Sequence, residues 1–186
     1  MISAIIAVAE NGVMGNNGKL PWPHIKEDMK WFVEKTTNNV VVMGRKTWDS
    51  LPTKSKPLKN RINLVVTSQS ISSVEGANDV LNGNLISRLQ GCQQFYSDKQ
   101  IFIIGGKEIY EQCFPICRKI YITRILRKYD GDVNIELDNV LKNFSLRNAR
   151  QHTDMCRFEI WERNHDSRRY KPRFNLWRFI KNSICP

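Results

Sequence analysis

Six short runs of the sequence are mostly apolar, and polar or glycine-containing segments separate them. Their length and their content of Val and Ile favour β-strands over helices. Strands with few polar residues need cover on both faces, so the pattern predicts a sheet buried between two layers. The runs are residues 2–9, 40–43, 62–66, 100–104, 119–125 and 158–161.

Segments with helical patterns lie between these runs, at residues 25–36, 45–50, 84–94 and 107–114. Strands that alternate with helices indicate an α/β protein. A chain of 186 residues fits one compact domain. In such a sheet, ligands gather at the carboxyl ends of the strands, so we expect the chemistry in the loops that follow them.

The net charge of the chain is +11, from 29 Lys and Arg against 18 Asp and Glu, which favours anionic partners. Residues 164–186 contribute +5 of this charge, because their six basic side chains are accompanied by Asp166 alone. We therefore divide the chain into a folded domain, 1–163, and a basic extension, 164–186. The extension is interpreted as a short amphipathic helix or a disordered tail, and no function is assigned to it.

The chain contains five cysteines, an odd number, without a Cys-x-x-Cys spacing. This excludes a disulfide framework that uses every cysteine and argues against a zinc site. We expect no bound metal and a reducing, cytoplasmic environment. No apolar run approaches the roughly 20 residues that a membrane-spanning helix needs, so we also expect no membrane contact.

A predicted helix that begins at Ile25 carries a carboxylate on its apolar face. Asp28, Met29 and Phe32 share that face with Ile25, whereas Glu27 points about 100° away. Burial disfavours the charged form of a lone carboxylate, so the pKa of Asp28 should rise. Such an acid is suited to pair with a heterocycle that offers two donors. The alternative is a solvated acid that complements the helix dipole.

Two glycine-containing turns each join a predicted strand to a predicted helix. Gly44 precedes Arg45 and Lys46, and the Gly105-Gly106 pair precedes the other helix. Backbone amides at a helix start, together with basic side chains, suit a pyrophosphate group. Glycine also allows a ligand to approach the backbone closely, although either turn alone is equally typical of an ordinary loop.

Taken in order, these segments resemble dihydrofolate reductases. The shared features are an apolar first strand, Leu20-Pro21-Trp22 with Asp28 six residues after the tryptophan, Gly44-Arg45-Lys46-Thr47, Arg61 before a strand, and Gly105-Gly106. The spacing from Trp22 to Asp28 is like that of the eukaryotic members. The resemblance covers residues 2–163 and implies a single-domain, mostly parallel sheet of about eight strands with helices on both faces.

The resemblance implies NADPH-dependent reduction of dihydrofolate, with antifolates as ligands of the same pocket. Asp28 would bind the pyrimidine edge of the substrate, Thr123 would hydrogen-bond Asp28, and Trp22 would position a water. Arg61 would bind the α-carboxylate of the glutamate tail, since a planar guanidinium matches a carboxylate. The other substrate contacts implied are Ile5, Ile6, Leu20, Phe32, Leu51, Leu58, Ile104 and Tyr110.

The resemblance also assigns a group of residues to NADPH. Thr67 and Ser68 would hold its 2′-phosphate together with Arg45, and residues 12–19 would form a lid. Glu108 departs from the pattern, because some bacterial members have a cofactor-binding arginine there. The full set is Ala7, Met14, Gly15, Gly44, Arg45, Lys46, Thr47, Thr67, Ser68, Gly105, Gly106, Lys107, Glu108 and Ile109.

Two other functions are compatible with the sequence. A reductase of flavin synthesis that acts on a ribosylated pyrimidine looks similar overall, but Asp28 and Arg61 argue against it. A non-catalytic protein of this fold would use its basic surface and extension to bind a polyanion such as nucleic acid. The intact motifs favour catalysis, so we expect an enzyme with small-molecule ligands and no nucleic-acid partner. The expectation of a monomer comes from the family resemblance, because it is the family's commonest state.

Overall fold

The computed structural model describes residues 1–164, and strands alternate with helices over this part of the chain. The helix considered for the basic extension falls outside the described residues. The helices are α1 (Lys26–Thr36), α2 (Arg45–Ser50), α3 (Leu85–Phe95), α4 (Lys107–Cys113) and α5 (Leu137–Leu141). The strands are β1 (Ile2–Ala9), β2 (Val13–Gly15), β3 (Val40–Gly44), β4 (Ile62–Val66), β5 (Asp79–Leu81), β6 (Ile101–Gly105), β7 (Lys119–Ile125), β8 (Val133–Asn134), β9 (Phe144–Gln151) and β10 (Cys156–Arg163).

Eight of the strands form one sheet in the order β5-β4-β3-β6-β1-β7-β10-β9. Neighbouring strands from β5 to β7 are parallel, and β10 runs antiparallel to both β7 and β9. The predicted eight-stranded, mostly parallel sheet is therefore confirmed. The carboxyl ends of β1, β3, β4 and β6 point to the same edge, which brings the loops that follow them together.

Two apolar clusters lie on opposite faces of this sheet. The first contains residues of α3, α4 and α5, such as Leu89, Ile109 and Leu137. The second contains Trp31 of α1 and Trp48 of α2. Because side chains alternate along a strand, successive residues of β1 enter different clusters. Helices on both faces of the sheet, as predicted, cover these two clusters.

Four strands were not predicted, and their sequences explain why. Strands β2, β5 and β8 have only two or three residues, too few for a pattern. Strand β9 is eight residues long, but all of its residues from Leu146 onward are exposed. A solvent-facing edge strand needs no apolar run, so nothing in its composition distinguishes it from a loop.

The segment 12–19, which the family resemblance implies is a flexible loop and a lid, is partly a strand. Val13 and Gly15 of β2 pair with β8, and Asn16 and Lys19 form an isolated bridge. A Cβ added to Gly131 would collide with the carbonyl oxygen of Gly15, so the two backbones are in close contact. The expectation of an irregular segment is therefore wrong here, and its role as a lid stays a prediction.

A buried carboxylate joins β7 to β10 near one edge of the sheet. Glu159 is 3% exposed, and its two oxygens accept hydrogen bonds from Arg157 at 2.7 Å, Trp161 at 2.8 Å and Arg124 at 3.2 Å. Burial opposes ionisation, but these donors and the Arg124 charge outweigh it and hold the pKa of Glu159 below its ordinary value. The charged form of Glu159 thus stabilises the sheet.

Replacing Glu159 with Gln is expected to lower the free energy of unfolding at neutral pH by about 1–2 kcal/mol, since an amide cannot accept from all three donors. A folded-state pKa below the unfolded one gives a stability contribution that is complete above the unfolded pKa and is lost as the pH falls. Urea unfolding at neutral and acidic pH measures both effects. The control is Glu162→Gln, three residues later on the same strand, where a less buried carboxylate pairs with Arg118 and Arg147. An equal loss of stability in the two variants would contradict the role of the buried cluster.

Candidate active site

Asp28 lies in the first turn of α1 and is 8% exposed. The hydroxyl of Thr123 on β7 hydrogen-bonds its carboxylate, and strand pairing places Ala7 and Phe158 directly beside Thr123. Burial raises the pKa of Asp28, and this outweighs the opposing effects of the Thr123 hydrogen bond and the nearby His24. The predicted buried carboxylate with a raised pKa is confirmed.

The buried side of α1 differs from the expected one at Met29, which is 38% exposed. Trp31 is buried instead, with its ring stacked on Phe158 at 4.4 Å between centroids and edge-on to Tyr121 at 6.0 Å. The helix therefore rests on the sheet through Asp28 and Trp31, three residues apart, and Met29 lies at the exposed border. That spacing is the signal that could have identified Trp31.

Trp22 is buried next to the start of α1. Its cluster includes Ile25, the residue that precedes the helix, and Cys156 of β10, and its ring contacts Tyr129 edge-on at 5.9 Å. The structure thus places Trp22 at the amino end of the helix that carries Asp28. Tyr129 was not singled out in the sequence, because it lies in a loop far along the chain.

Five of the residues expected to contact a substrate come together on the α1 face of the sheet. Their shared property is that they belong to the second apolar cluster or pack against it: Ile5, Phe32, Leu51, Leu58 and Ile104. The structure does not bring the other expected residues into this group. Leu20 is 52% exposed, whereas Ile6 and Tyr110 belong to the first cluster on the opposite face. The hydroxyl of Tyr110 instead donates to the carbonyl of Ile5 at 2.6 Å.

Arg61 lies at the border of this apolar group. Its Nε donates to the carbonyl of Lys59 at 2.9 Å, its Nη1 donates to Oγ1 of Thr36 at 3.3 Å, and the guanidinium is 5.8 Å from the centroid of the Phe32 ring. Partial burial lowers the pKa of Arg61 from its ordinary value. Within residues 1–164, Nη2 of Arg61 makes no hydrogen bond.

The two glycine turns meet at the carboxyl edge of the sheet. A Cβ added to Gly106 would lie 3.3 Å from Oγ1 of Thr47, and one added to Gly44 would lie 3.1 Å from Cγ1 of Ile109. Gly105 has a φ of +123°, and the peptide bond that joins it to Gly106 is cis. Side chains at these glycines would press against Ile109 and Thr47, so glycine lets the two turns and the starts of α2 and α4 approach each other closely. We call the backbone of these two turns the cradle.

Arg45 connects α2 to the segment that follows β4. Its Nε donates to both carboxylate oxygens of Asp49, at 2.8 and 3.0 Å, and its Nη1 donates to Gln69 and to Oγ of Ser73. Oγ1 of Thr67 accepts from the backbone amide of Gln69 at 3.1 Å. The guanidinium and the Thr67 hydroxyl thus contact the same short segment. Asp49 was not predicted from the sequence, although its i, i+4 spacing from Arg45 is a recognisable signal.

The remaining residues expected at a cofactor have varied surroundings. Met14 packs partly against the first cluster, and Gly15 pairs with Val133. Lys107 lies 3.8 Å from Glu111, and the side chains of Lys46, Ser68 and Glu108 are exposed.

Residues 1–164 contain neither a candidate membrane-spanning helix nor a cluster of potential metal ligands. None of their helices has the length and apolar character needed to cross a membrane. Likewise, none of their His, Cys, Asp and Glu side chains form a group of three or more that could hold a metal ion. The cysteines in this part of the chain, Cys92, Cys113, Cys117 and Cys156, are free thiols.

Comparison with known proteins gives a consistent result. A family profile described as dihydrofolate reductase matches residues 1–163. Pig (Sus scrofa) dihydrofolate reductase is 35% identical over 143 residues, which cover 70% of this chain and 76% of the pig protein. Dihydrofolate reductase type 8 of Escherichia coli is 30% identical over 155 residues, or 81% and 89% of the two chains. A solved structure of the Enterococcus faecalis enzyme complexed with NADP(H) and RAB-propyl matches with a TM-score of 0.73 and 31% identity, covering 88% of this chain and 96% of that one.

Proposed function

Since the chain belongs to the dihydrofolate reductase family, we propose that Asp28 is the acid that binds and helps to protonate its substrate. The protein is an NADPH-dependent enzyme that reduces 7,8-dihydrofolate to 5,6,7,8-tetrahydrofolate by hydride transfer to C6 and protonation at N5. NADPH, when bound, supplies the hydride. The observation that supports the role of Asp28 is its burial beside Thr123 with a raised pKa.

The surroundings of Asp28 suit two roles, which are binding of the substrate ring and assistance in its protonation. A buried carboxylate can accept two hydrogen bonds from the pyrimidine edge of the substrate, and a raised pKa lets it hold a proton closer to neutral pH. Thr123 keeps the carboxylate oriented through their hydrogen bond. Asp28 then assists protonation at N5 through the ring tautomer or through a water, and Trp22, at the amino end of the same helix, positions that water.

The apolar residues near α1 form the wall against which the substrate ring packs. Ile5, Phe32 and Ile104 are the members that we assign to the ring, and Leu51 and Leu58 those that we assign to the part of the substrate beyond it. An apolar wall excludes water and strengthens the hydrogen bonds to Asp28. Antifolates, which we propose as ligands of this site, would use the same wall and the same acid.

Residues at the carboxyl edge of the sheet are assigned to NADPH. We assign the pyrophosphate to Gly44, Thr47 and the Gly105-Gly106 cradle, where a side chain would fill the space. The 2′-phosphate is assigned to Thr67, Ser68 and Arg45, because the guanidinium of Arg45 reaches the segment that follows β4. Ala7, beside Thr123, is assigned to the nicotinamide end.

Steady-state assays test the proposed function directly. Loss of NADPH absorbance should require both NADPH and dihydrofolate, and a ribosylated pyrimidine should not replace dihydrofolate. A folded protein without this turnover would contradict the function, and salt-sensitive binding of nucleic acid would then favour a polyanion-binding role. The family's commonest state supports the further proposal of a monomer, and the free thiols are compatible with a cytoplasmic site of action.

Replacing Arg61 with Lys is expected to raise KM for dihydrofolate by roughly tenfold and to leave kcat nearly unchanged. A lysine keeps the charge but cannot form the two parallel hydrogen bonds of a guanidinium with a carboxylate, a difference worth about 1–2 kcal/mol. The matched control is Lys59→Ala, which removes a neighbouring exposed cation. For a dihydrofolate analogue without the glutamate tail, KM should be the same in the wild type and in Arg61→Lys. A difference in KM for this analogue would contradict the assignment of Arg61 to the glutamate tail.

A further inference from the structure

We propose that Asp49 is a specificity-determining residue that weakens the hold of Arg45 on the 2′-phosphate of NADPH. The inference rests on the proposed function, since it takes Arg45 as the residue that binds this phosphate. Asp49 is not among the residues assigned to the substrate or to NADPH. Asp49 thereby sets how strongly the enzyme prefers NADPH to NADH.

The contacts of Arg45 show that Asp49 occupies one edge of its guanidinium. Nε donates to both oxygens of Asp49, one turn later in α2, at 2.8 and 3.0 Å. Nη1 is directed at Gln69 and Ser73, and within residues 1–164 no acceptor is recorded for Nη2. A phosphate can therefore accept a hydrogen bond from Nη2 and can compete with Gln69 and Ser73 for Nη1. It cannot form a bidentate pair through Nε unless it displaces Asp49.

The charges around this pair make the effect electrostatic as well as geometric. Asp49 neutralises much of the Arg45 charge, and its other cationic neighbour, Lys56, is more distant at 3.8 Å. The side chain of Lys56 also lies 4.9 Å from the centroid of the Trp48 ring. A 2′-phosphate adds nearly two negative charges close to an existing one, and NADH lacks that group. The repulsion therefore acts on NADPH and spares NADH.

The test measures binding of NADPH and NADH to Asp49→Asn by titration calorimetry, without turnover. Asparagine keeps an oxygen that can accept from Nε but removes the charge. We expect the Kd for NADPH to fall about two- to fivefold, as for a partly exposed charge, and the Kd for NADH to stay within about twofold. The increase in NADPH affinity over the wild type should become smaller as the salt concentration rises, because exposed charges are screened.

Two further variants control for the change in net charge and for the assignment of Arg45. Asp138→Asn, an exposed acid on α5, makes the same change in net charge away from the site and should leave both affinities unchanged. Arg45→Gln should abolish the preference for NADPH. If it does not, the assignment of Arg45 fails. If it does, but Asp49→Asn weakens NADPH or changes both cofactors equally, the proposal for Asp49 alone is overturned.

Discussion

Replacing Asp28 with Asn is expected to lower kcat/KM for dihydrofolate at neutral pH by roughly 10²- to 10³-fold. General acid catalysis contributes on this scale, and the described part of the α1 face places no other carboxylate with comparable burial beside Thr123. Asparagine can still hydrogen-bond the substrate ring, but it cannot hold or deliver the proton. Because the missing proton can be supplied by solvent acid, the deficit should become smaller as the pH is lowered. The pH profile of kcat/KM for the two proteins measures this difference.

The control for this experiment is Glu27→Gln, because Glu27 is adjacent in sequence and only half-buried. It should retain nearly all activity, since it lies about 100° away around α1. Equal losses in the two variants would mean that the charge of the helix start matters rather than one acid. A fully active Asp28→Asn protein would contradict the catalytic role of Asp28.

The same substitution should make the fold more stable at neutral pH. The pKa of Asp28 is raised above its ordinary value of 3.8, so the folded protein binds the proton more tightly than the unfolded chain. Stability of the wild type therefore falls as the pH rises from the ordinary value through the raised one, and then levels off. The Asp28→Asn protein does not lose stability in this pH range, because asparagine does not ionise. A buried catalytic acid is therefore expected to lower the stability of the folded protein at neutral pH.

Much of the sheet could be predicted because its central strands are buried on both faces. The bounds of β1, β4 and β7 were predicted at the residues where the structure has them, since an apolar run ends where burial ends. Edge strands carry no such signal. Strand β9 is held by pairing with β10 alone and exposes polar side chains, so its existence depends on a partner that periodicity does not show.

Parts of the candidate site could be predicted where one segment carries the signal. Helical spacing predicted the burial of Asp28, whereas the assignment of Arg45 to the cofactor came from the resemblance of the segment after Gly44 to the family. Contacts between distant segments could not be predicted in this way. The stacking of Trp31 on Phe158 joins residues far apart in the chain and depends on the strand order β1-β7-β10. Ile6 lies on the face opposite Ile5 because side chains alternate along β1, and Ile5 lies on the side of α1.

Replacing Gly105 with Ala is expected to lower the free energy of unfolding by about 1–3 kcal/mol and to weaken NADPH binding by at least about tenfold. The φ of +123° is one that side chains rarely adopt, so an alanine either carries the strain or shifts the turn. The added Cβ would contact Tyr110 at 3.4 Å and Thr47 at 3.5 Å, so a shift moves both walls of the cradle. An energy of about 1.4 kcal/mol corresponds to the tenfold change in affinity. Denaturant unfolding and NADPH titration measure the two effects.

A matched control separates backbone strain from the effect on the cofactor. Gly83 also has a positive φ, +78°, but a Cβ added there has no neighbour within 4 Å. Gly83→Ala should therefore lose stability on a similar scale without displacing a neighbouring side chain, and we expect it to bind NADPH as the wild type does. Normal NADPH affinity in Gly105→Ala, with stability lost as in Gly83→Ala, would show that the Gly105 turn does not contact the cofactor. Weakened binding in Gly105→Ala alone would place the cradle at the cofactor, where the close approach of Thr47 to Gly106 already leaves no room for a side chain.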